Sequence, residues 1–222
     1  MLQLNYLLGL IMIAFWLTSL EPHYSRYLTE LTDDIAIPQL PVLVRKFLYY
    51  KQNPDAPADH DVDISLCLPY HGKIHVFHSA TSTFLSDRGQ LTHQQIHCKP
   101  TWRNGPTCCD CVFVENDPSL PGFKGLYVGQ VLLLFSLEAH GWIKGIPCAL
   151  IQWFTTVGDK PCHLTGMWMV KQEYDSSKQH VMSVVHLDCI LQPGHPNLCC
   201  WACSTWPICF RLTECLQRLL CK

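Results

Sequence analysis

Apolar and polar residues alternate through the middle of the chain with the two-residue period of β-strands. In residues 72–85, Ile74 and Val76 fall on one face and His75 on the other. Further strands are predicted at 111–115, 126–138, 146–156, 166–171 and 180–190. Short connectors rich in Gly, Pro and Asp separate them, so this region predicts an antiparallel sheet closed into a small barrel. The 126–138 run is long enough to bend around such a barrel, with Gly129 as a candidate β-bulge.

A helical period precedes these strands. In the segment PQLPVLVRKFLYYKQ, residues 38–52, Leu40, Val44 and Phe47 fall on one helix face, and Pro41 suits a first helical turn. The acidic, proline-bearing stretch that follows is typical of a connector. The predicted fold class is therefore α+β, mainly antiparallel β in a small barrel, with N-terminal helices.

The two ends of the chain differ from its middle. The run from Leu4 to Leu20 has no charged side chain, and its 17 residues lie at the lower limit for a membrane-spanning helix. A secretory signal and a buried core helix are the alternatives for this run, although no Lys or Arg occurs in the first ten residues. The last 31 residues are rich in cysteine, and the apolar spacing from Ile208 to Leu219 predicts a short amphipathic helix.

These changes of pattern divide the chain into four parts. They are an apolar segment at 1–20, a helical region at 21–58, a β-barrel-like domain at 59–191 and a Cys-rich tail at 192–222. The 222 residues suffice for one sizeable domain with extensions.

Composition narrows the classes of function. With 48% hydrophobic and 15% charged residues, the chain is too apolar for wholesale disorder. Its formal charge of −2 gives no field that favours nucleic acid. The basic residues Lys99, Arg103 and Lys124 are too scattered to outline a phosphate-binding surface.

Cysteine and histidine suggest a metal site in the stretches HQQIHC and CCDC. His93 and His97 have the spacing that would place two imidazoles on one helix face. With the CxxC pair Cys108 and Cys111 they would supply four donors for tetrahedral zinc. The alternative is that Cys111 begins a core strand, since cysteine commonly behaves as a small buried hydrophobe.

Aromatic residues suggest a binding surface on the predicted barrel. Most aromatics in such a domain belong to the core. Trp142, Trp153, Trp168 and Tyr174 are nevertheless candidates to line a pocket for a peptide or a methylated lysine, held by cation–π attraction. The sequence has no phosphate-cradling glycine loop and no nucleophile elbow, and it predicts no catalytic residue and no cofactor.

Several long strings in the chain resemble a family of mobile-element proteins. They include LPVLVRKFLYYKQNPD, GKIHVFHSATSTF, DCVFVENDPSLPGFKGLYVGQVLLLFS, PCALIQWFTTVGD, TGMWMV and VVHLDCI, in this order. Over about residues 22–190 the chain resembles the C-terminal region of the Plavaka-type transposases of mushroom-forming fungi, which are relatives of CACTA-like elements. In that family the DNA-cleaving carboxylates lie upstream, and no residue here matches them. The resemblance implies a truncated or degenerate copy without the catalytic part.

The resemblance carries further expectations. It implies a nuclear setting, with protein partners from a transposition complex or chromatin. It implies that DCVFV begins a strand and that Cys108 and Cys109 are incidental thiols. The order of strands also resembles that of bromo-adjacent homology domains, chromatin-associated β-barrels that bind proteins, which is a likeness of fold alone.

The sequence thus predicts a non-catalytic, protein-binding or accessory β-domain from a fungal transposon. One alternative is a membrane-tethered or secreted β-domain that uses the run from Leu4 to Leu20. The other is a zinc-binding module. The transposon origin implies a nuclear protein, whereas the membrane-tethered or secreted alternative implies a protein at a membrane or outside the cell.

Overall fold

The computed structural model describes residues 11–56, 62–85, 90–99, 108–115, 125–138, 145–160, 163, 168–193 and 208–210. Within them lie two helices, α1 (Leu28–Ile35) and α2 (Leu40–Gln52), and eleven strands: β1 (Ile11–Glu21), β2 (Ile74–Leu85), β3 (Leu91–Lys99), β4 (Cys108–Cys109), β5 (Cys111–Glu115), β6 (Leu126–Leu137), β7 (Ile146–Thr156), β8 (Trp168–Gln172), β9 (Met182–His186), β10 (Ile190–Pro193) and β11 (Ile208–Phe210). The fold is mainly antiparallel β, a half-barrel with two helices, which confirms the predicted fold class.

Strands β6 and β7 form the centre of the sheet. They pair from Val128 opposite Phe154 to Leu137 opposite Ile146. The other edge of β6 pairs with β5 along its first half and with β2 along its second half. The outer edge of β7 is divided in the same way between β9 and β8. Because both long strands change partner part-way, the sheet curls into a half-barrel.

The bulge predicted in β6 lies at a different residue. Pairing with β7 shifts between Val131 and Leu133, so Leu132 is the extra residue and the placement at Gly129 was wrong. Gly129 meets another need. A Cβ atom there would lie 2.2 Å from Ile151 Cγ2 and 3.1 Å from Trp153 Cε3, so only glycine lets these two side chains cross β6.

The sheet is buried on both faces. One face packs against the helices and forms the helix-side core, whose main members are Leu31, Leu40, Val44, Leu133, Phe135, Leu137 and Leu150. The opposite face forms the barrel core, with Ile96, Val112, Val131, Leu134, Ile151, Leu187 and Ile190. Strand β7 contributes to both, which explains its nearly unbroken apolar sequence. Burying each such Leu or Ile side chain stabilises the fold by roughly 1.5–3 kcal/mol.

Helix α2 occupies the position that the sequence predicted. Pro41 lies in its first turn, and Leu40 and Val44 are buried against the sheet. The Arg45 side chain tethers the segment that leads into β2. Its Nη2 atom donates to the Ile64 carbonyl at 2.8 Å, and its Nε atom donates to the Cys67 carbonyl at 3.0 Å.

The described part of the apolar N-terminal run is a strand. Strand β1 pairs with β2 from Ile11 opposite Leu85 to Glu21 opposite Val76, so the predicted helix was wrong for these residues. Pairing with a partner strand decides the outcome here, because an apolar run of this length suits either conformation. Residues 1–10 lie outside the described residues. Across the described ranges, no helix is long and apolar enough to cross a membrane.

Three further segments differ from the pattern that the sequence predicted. Ile208–Phe210 pairs with β8 as a strand, so the amphipathic helix predicted from Ile208 was wrong at its start. The rest of that helix lies outside the described residues. The predicted strand at 180–190 divides into β9, a short 3₁₀ helix (Leu187–Cys189) and the beginning of β10. Strand β3, which was not predicted, forms a hairpin with β2.

We expect Gly129→Ala to lower the free energy of unfolding by about 1–3 kcal/mol, because the added methyl group overpacks the crossing of Ile151 and Trp153. Urea denaturation measures this change. Gly158→Asn is the matched control: Gly158 has φ of 84° with open space around its Cβ position, and asparagine accepts that backbone conformation. Equal stability of the Gly129→Ala variant and the wild type would show that Ile151 and Trp153 can move to make room for a methyl group.

Candidate functional site

The two histidines of the candidate metal site lie on strand β3, so the helical spacing assumed for them was wrong. Four residues along a strand separate Cα atoms by about 13 Å, which keeps the two imidazoles apart. Each ring has a protein partner. His93 Nδ1 lies 2.7 Å from Thr83 Oγ1, and His97 Nδ1 lies 3.2 Å from Asp110 Oδ2.

The two cysteines of that candidate site have different surroundings. Cys108 is half-buried on β4, opposite Lys99. Cys111 is fully buried beside Val128 and Phe154. Among the residues that the structure describes, no group of three or more His, Cys, Asp or Glu side chains is arranged to hold a metal ion. The four candidate ligands are therefore not brought together.

The structure instead brings together two thiols that the sequence did not pair. Cys98 on β3 lies directly opposite Cys109 on β4, and their Sγ atoms are 3.4 Å apart. Cys98 is buried, with its Sγ 3.4 Å from the Val131 carbonyl oxygen, whereas Cys109 is partly exposed. We call this the thiol pair. Cys109, expected to be incidental, packs against the barrel core.

The two thiols differ in acidity. The pKa of Cys109 is lowered, first because Cys98 donates a hydrogen bond to its sulfur and also because the Lys99 backbone N–H donates to it. The pKa of Cys98 is raised, first by that same hydrogen bond and then by burial and the nearby Cys109 and Asp110 charges. Cys109 is therefore the thiol that ionises first.

Asp110 fixes the position of the thiol pair. Its Oδ2 atom accepts the backbone N–H of His97 at 2.7 Å, and its own N–H donates to the His97 carbonyl at 2.9 Å. Its carbonyl accepts the N–H of Val131 at 3.0 Å. One aspartate thus joins β3 to β6 at the point where β4 gives way to β5.

The predicted aromatic surface is divided by the sheet. Strand register places Trp153 on one face, while Trp168 and Tyr174 lie on the other because side chains alternate along paired strands. Trp168 packs beside Phe154 and Val170. Tyr174 lies over His180, with ring centroids 4.6 Å apart. Trp142 lies outside the described residues.

Trp153 has an aromatic neighbour that the sequence did not suggest. The rings of Trp153 and Tyr127 have centroids 5.5 Å apart at 54°, and Tyr127 is 48% exposed. Trp153 Nε1 donates to Ser183 Oγ at 2.7 Å, which fixes the indole ring. Glu173 lies opposite Trp153, since its N–H donates to the Trp153 carbonyl at 3.0 Å. Opposite residues share a face, so these three side chains form what we call the aromatic patch: Tyr127, Trp153 and Glu173.

Sequence reasoning missed Tyr127 and the thiol pair for the same reason. Tyr127 is 26 residues from Trp153, and Cys98 is 11 residues from Cys109. Only the register between strands brings them together. The alternating pattern of residues 126–138 carried the one available signal, since it places Tyr127 on the same face as Gly129.

No protein-family model, curated protein or solved structure matches this chain. The thiol pair and the aromatic patch are therefore interpreted from their own geometry and chemistry.

Replacing Asp110 by asparagine should lower the free energy of unfolding by about 1–3 kcal/mol, because the charged acceptor of the His97 N–H is lost in a nearly buried place. Asp188→Asn provides the matched control. Asp188 also lies beside a histidine, His186 at 3.4 Å, but its side chain is 69% exposed, against 13% for Asp110. We therefore expect a much smaller loss there. Equal losses in urea denaturation would contradict the anchoring role of Asp110.

Proposed function

We propose that this chain is a non-catalytic β-domain that binds a protein segment, and that it derives from a fungal transposon-encoded protein. The strings that resemble Plavaka-type transposases support the origin. That origin places the protein in the nucleus, with partners from a transposition complex or chromatin. The binding role rests on one observation, the pairing of Tyr127 with Trp153 at the end of the barrel core.

The aromatic patch has the chemistry for a cationic side chain. The faces of aromatic rings attract a cation, and the Glu173 carboxylate lies on the same face of the sheet as the tilted rings of Tyr127 and Trp153. The indole N–H already has Ser183 as its acceptor, so the Trp153 ring keeps its orientation without a ligand. A lysine of a partner protein, unmodified or methylated, fits these features.

Lys171 is a positive charge beside the aromatic patch. It lies opposite Thr155 on β7, two residues before Glu173, and so shares the face of the aromatic patch. Its exposed ammonium group repels an incoming cation and competes for the Glu173 carboxylate. Its charge should therefore oppose binding.

Binding is measured by titrating the tryptophan fluorescence of the full chain with lysine peptides that differ only in methylation, beside an acetyl-lysine peptide as the neutral probe. We expect Tyr127→Ala and Glu173→Gln each to weaken binding of the cationic peptides about 2- to 30-fold, the range of one cation–π or carboxylate contact. Lys171→Gln should strengthen it.

Tyr174→Ala is the matched control, because Tyr174 is exposed to a similar extent and lies on the opposite face. It should leave affinity unchanged. Equal binding of the acetyl-lysine peptide, or an equal loss with Tyr174→Ala, would overturn the assignment of the aromatic patch to a cationic side chain.

A further inference from the structure

The thiol pair lies apart from the aromatic patch and has no part in the binding proposed above. We propose that Cys98 and Cys109 are a reversible oxidation site, which forms a cross-strand disulfide between β3 and β4 when a low-molecular-weight disulfide such as oxidised glutathione is the oxidant.

The backbone geometry suits this bond. The Asp110 N–H donates to the His97 carbonyl, and in an antiparallel ladder the neighbouring pair, Cys98 with Cys109, is then the non-hydrogen-bonded kind. Residues in such a pair have Cα atoms about 4.5 Å apart, within the range of about 4.4–6.8 Å that disulfides span. With the sulfurs already 3.4 Å apart, bond formation needs side-chain rotation alone.

The two thiols are suited to different steps. Cys109 is partly exposed, and its sulfur accepts hydrogen bonds that favour the thiolate, so it is the thiol that meets an oxidant from solvent. Cys98 is buried, with its sulfur 3.4 Å from that of Cys109. A mixed disulfide at Cys109 would therefore be short-lived, because the Cys98 sulfur lies close enough to displace the small thiol.

The exchange balances with the named oxidant. The Cys109 thiolate attacks one sulfur of the small disulfide, whose S–S bond breaks and releases one thiolate. The Cys98 sulfur loses its proton and attacks Cys109 Sγ, which expels the second small thiolate. The protein loses two electrons, the small disulfide gains them, and the two protons from the protein thiols end on the two released thiols.

Neighbouring cysteines do not share this geometry. Cys111 is fully buried in a separate cluster with Val128 and Phe154. Cys108 precedes Cys109 directly, and consecutive side chains of a strand point to opposite faces. The register therefore selects Cys109 from the three cysteines of the CCDC stretch.

The test uses the reduced full chain, incubated with oxidised glutathione, alkylated and digested with trypsin without reduction. Cleavage gives residues 89–103, in which Cys98 is the one cysteine, and residues 104–124, which hold Cys108, Cys109 and Cys111. We expect these two peptides to be linked, with fragmentation placing the bond at Cys109. Dithiothreitol should release them.

Cysteine variants distinguish a specific Cys98–Cys109 disulfide from unspecific oxidation of a chain with many cysteines. Cys108→Ser should keep the link, and Cys109→Ser should abolish it. Because Cys109→Ser can also disturb packing, Cys98→Ala provides a second test: it should leave Cys109 as a glutathione mixed disulfide, seen as a mass increase on residues 104–124. A link through Cys108 or Cys111 in the wild-type chain, or no link while Cys109 is glutathionylated, would overturn the proposal.

Discussion

The antiparallel pairing of β6 with β7 is the interaction on which the remaining structure depends. These two strands place apolar side chains on both faces of the sheet. Their pairing therefore contributes buried side chains to the helix-side core and to the barrel core. Their outer edges then receive β5, β2, β9 and β8 in turn. The extra residue at Leu132 and the missing side chain at Gly129 allow this ladder to bend while its faces stay packed.

The sequence predicted the parts of the fold whose pattern is local. Residues 111–115, 126–138 and 146–156 carry dense apolar runs and are strands β5, β6 and β7. Strand β3 was missed because only Ile96 and Cys98 of its nine residues are buried, so no alternation stands out. Pairing with β2 stabilises this polar strand, and such a tertiary contact leaves no local signal.

The contacts within the two candidate sites also depend on strand register, which the sequence does not reveal. The sequence identified Trp153 as an aromatic of interest, but its neighbour Tyr127 follows from the register of β6 against β7. The adjacent thiols of the CCDC stretch suggested a shared ligand set. Alternation along β4 separates Cys108 from Cys109, and the break at Asp110 between β4 and β5 places Cys111 in a different cluster. Cys109 therefore faces Cys98 from a strand that the sequence did not reveal. Proximity in sequence and proximity in a sheet are different quantities.

Strand β1 also bears on how the chain is made. Thr18 Oγ1 contacts Ser79 Oγ at 2.9 Å across 61 residues of intervening chain. During synthesis an apolar segment of β1 therefore leaves the ribosome well before the strand that pairs with it. At roughly 5–20 residues per second, this interval lasts several seconds. For that time the segment lacks both its partner strand and the barrel core against which Leu17 packs, and such uncovered apolar segments are prone to associate with other chains.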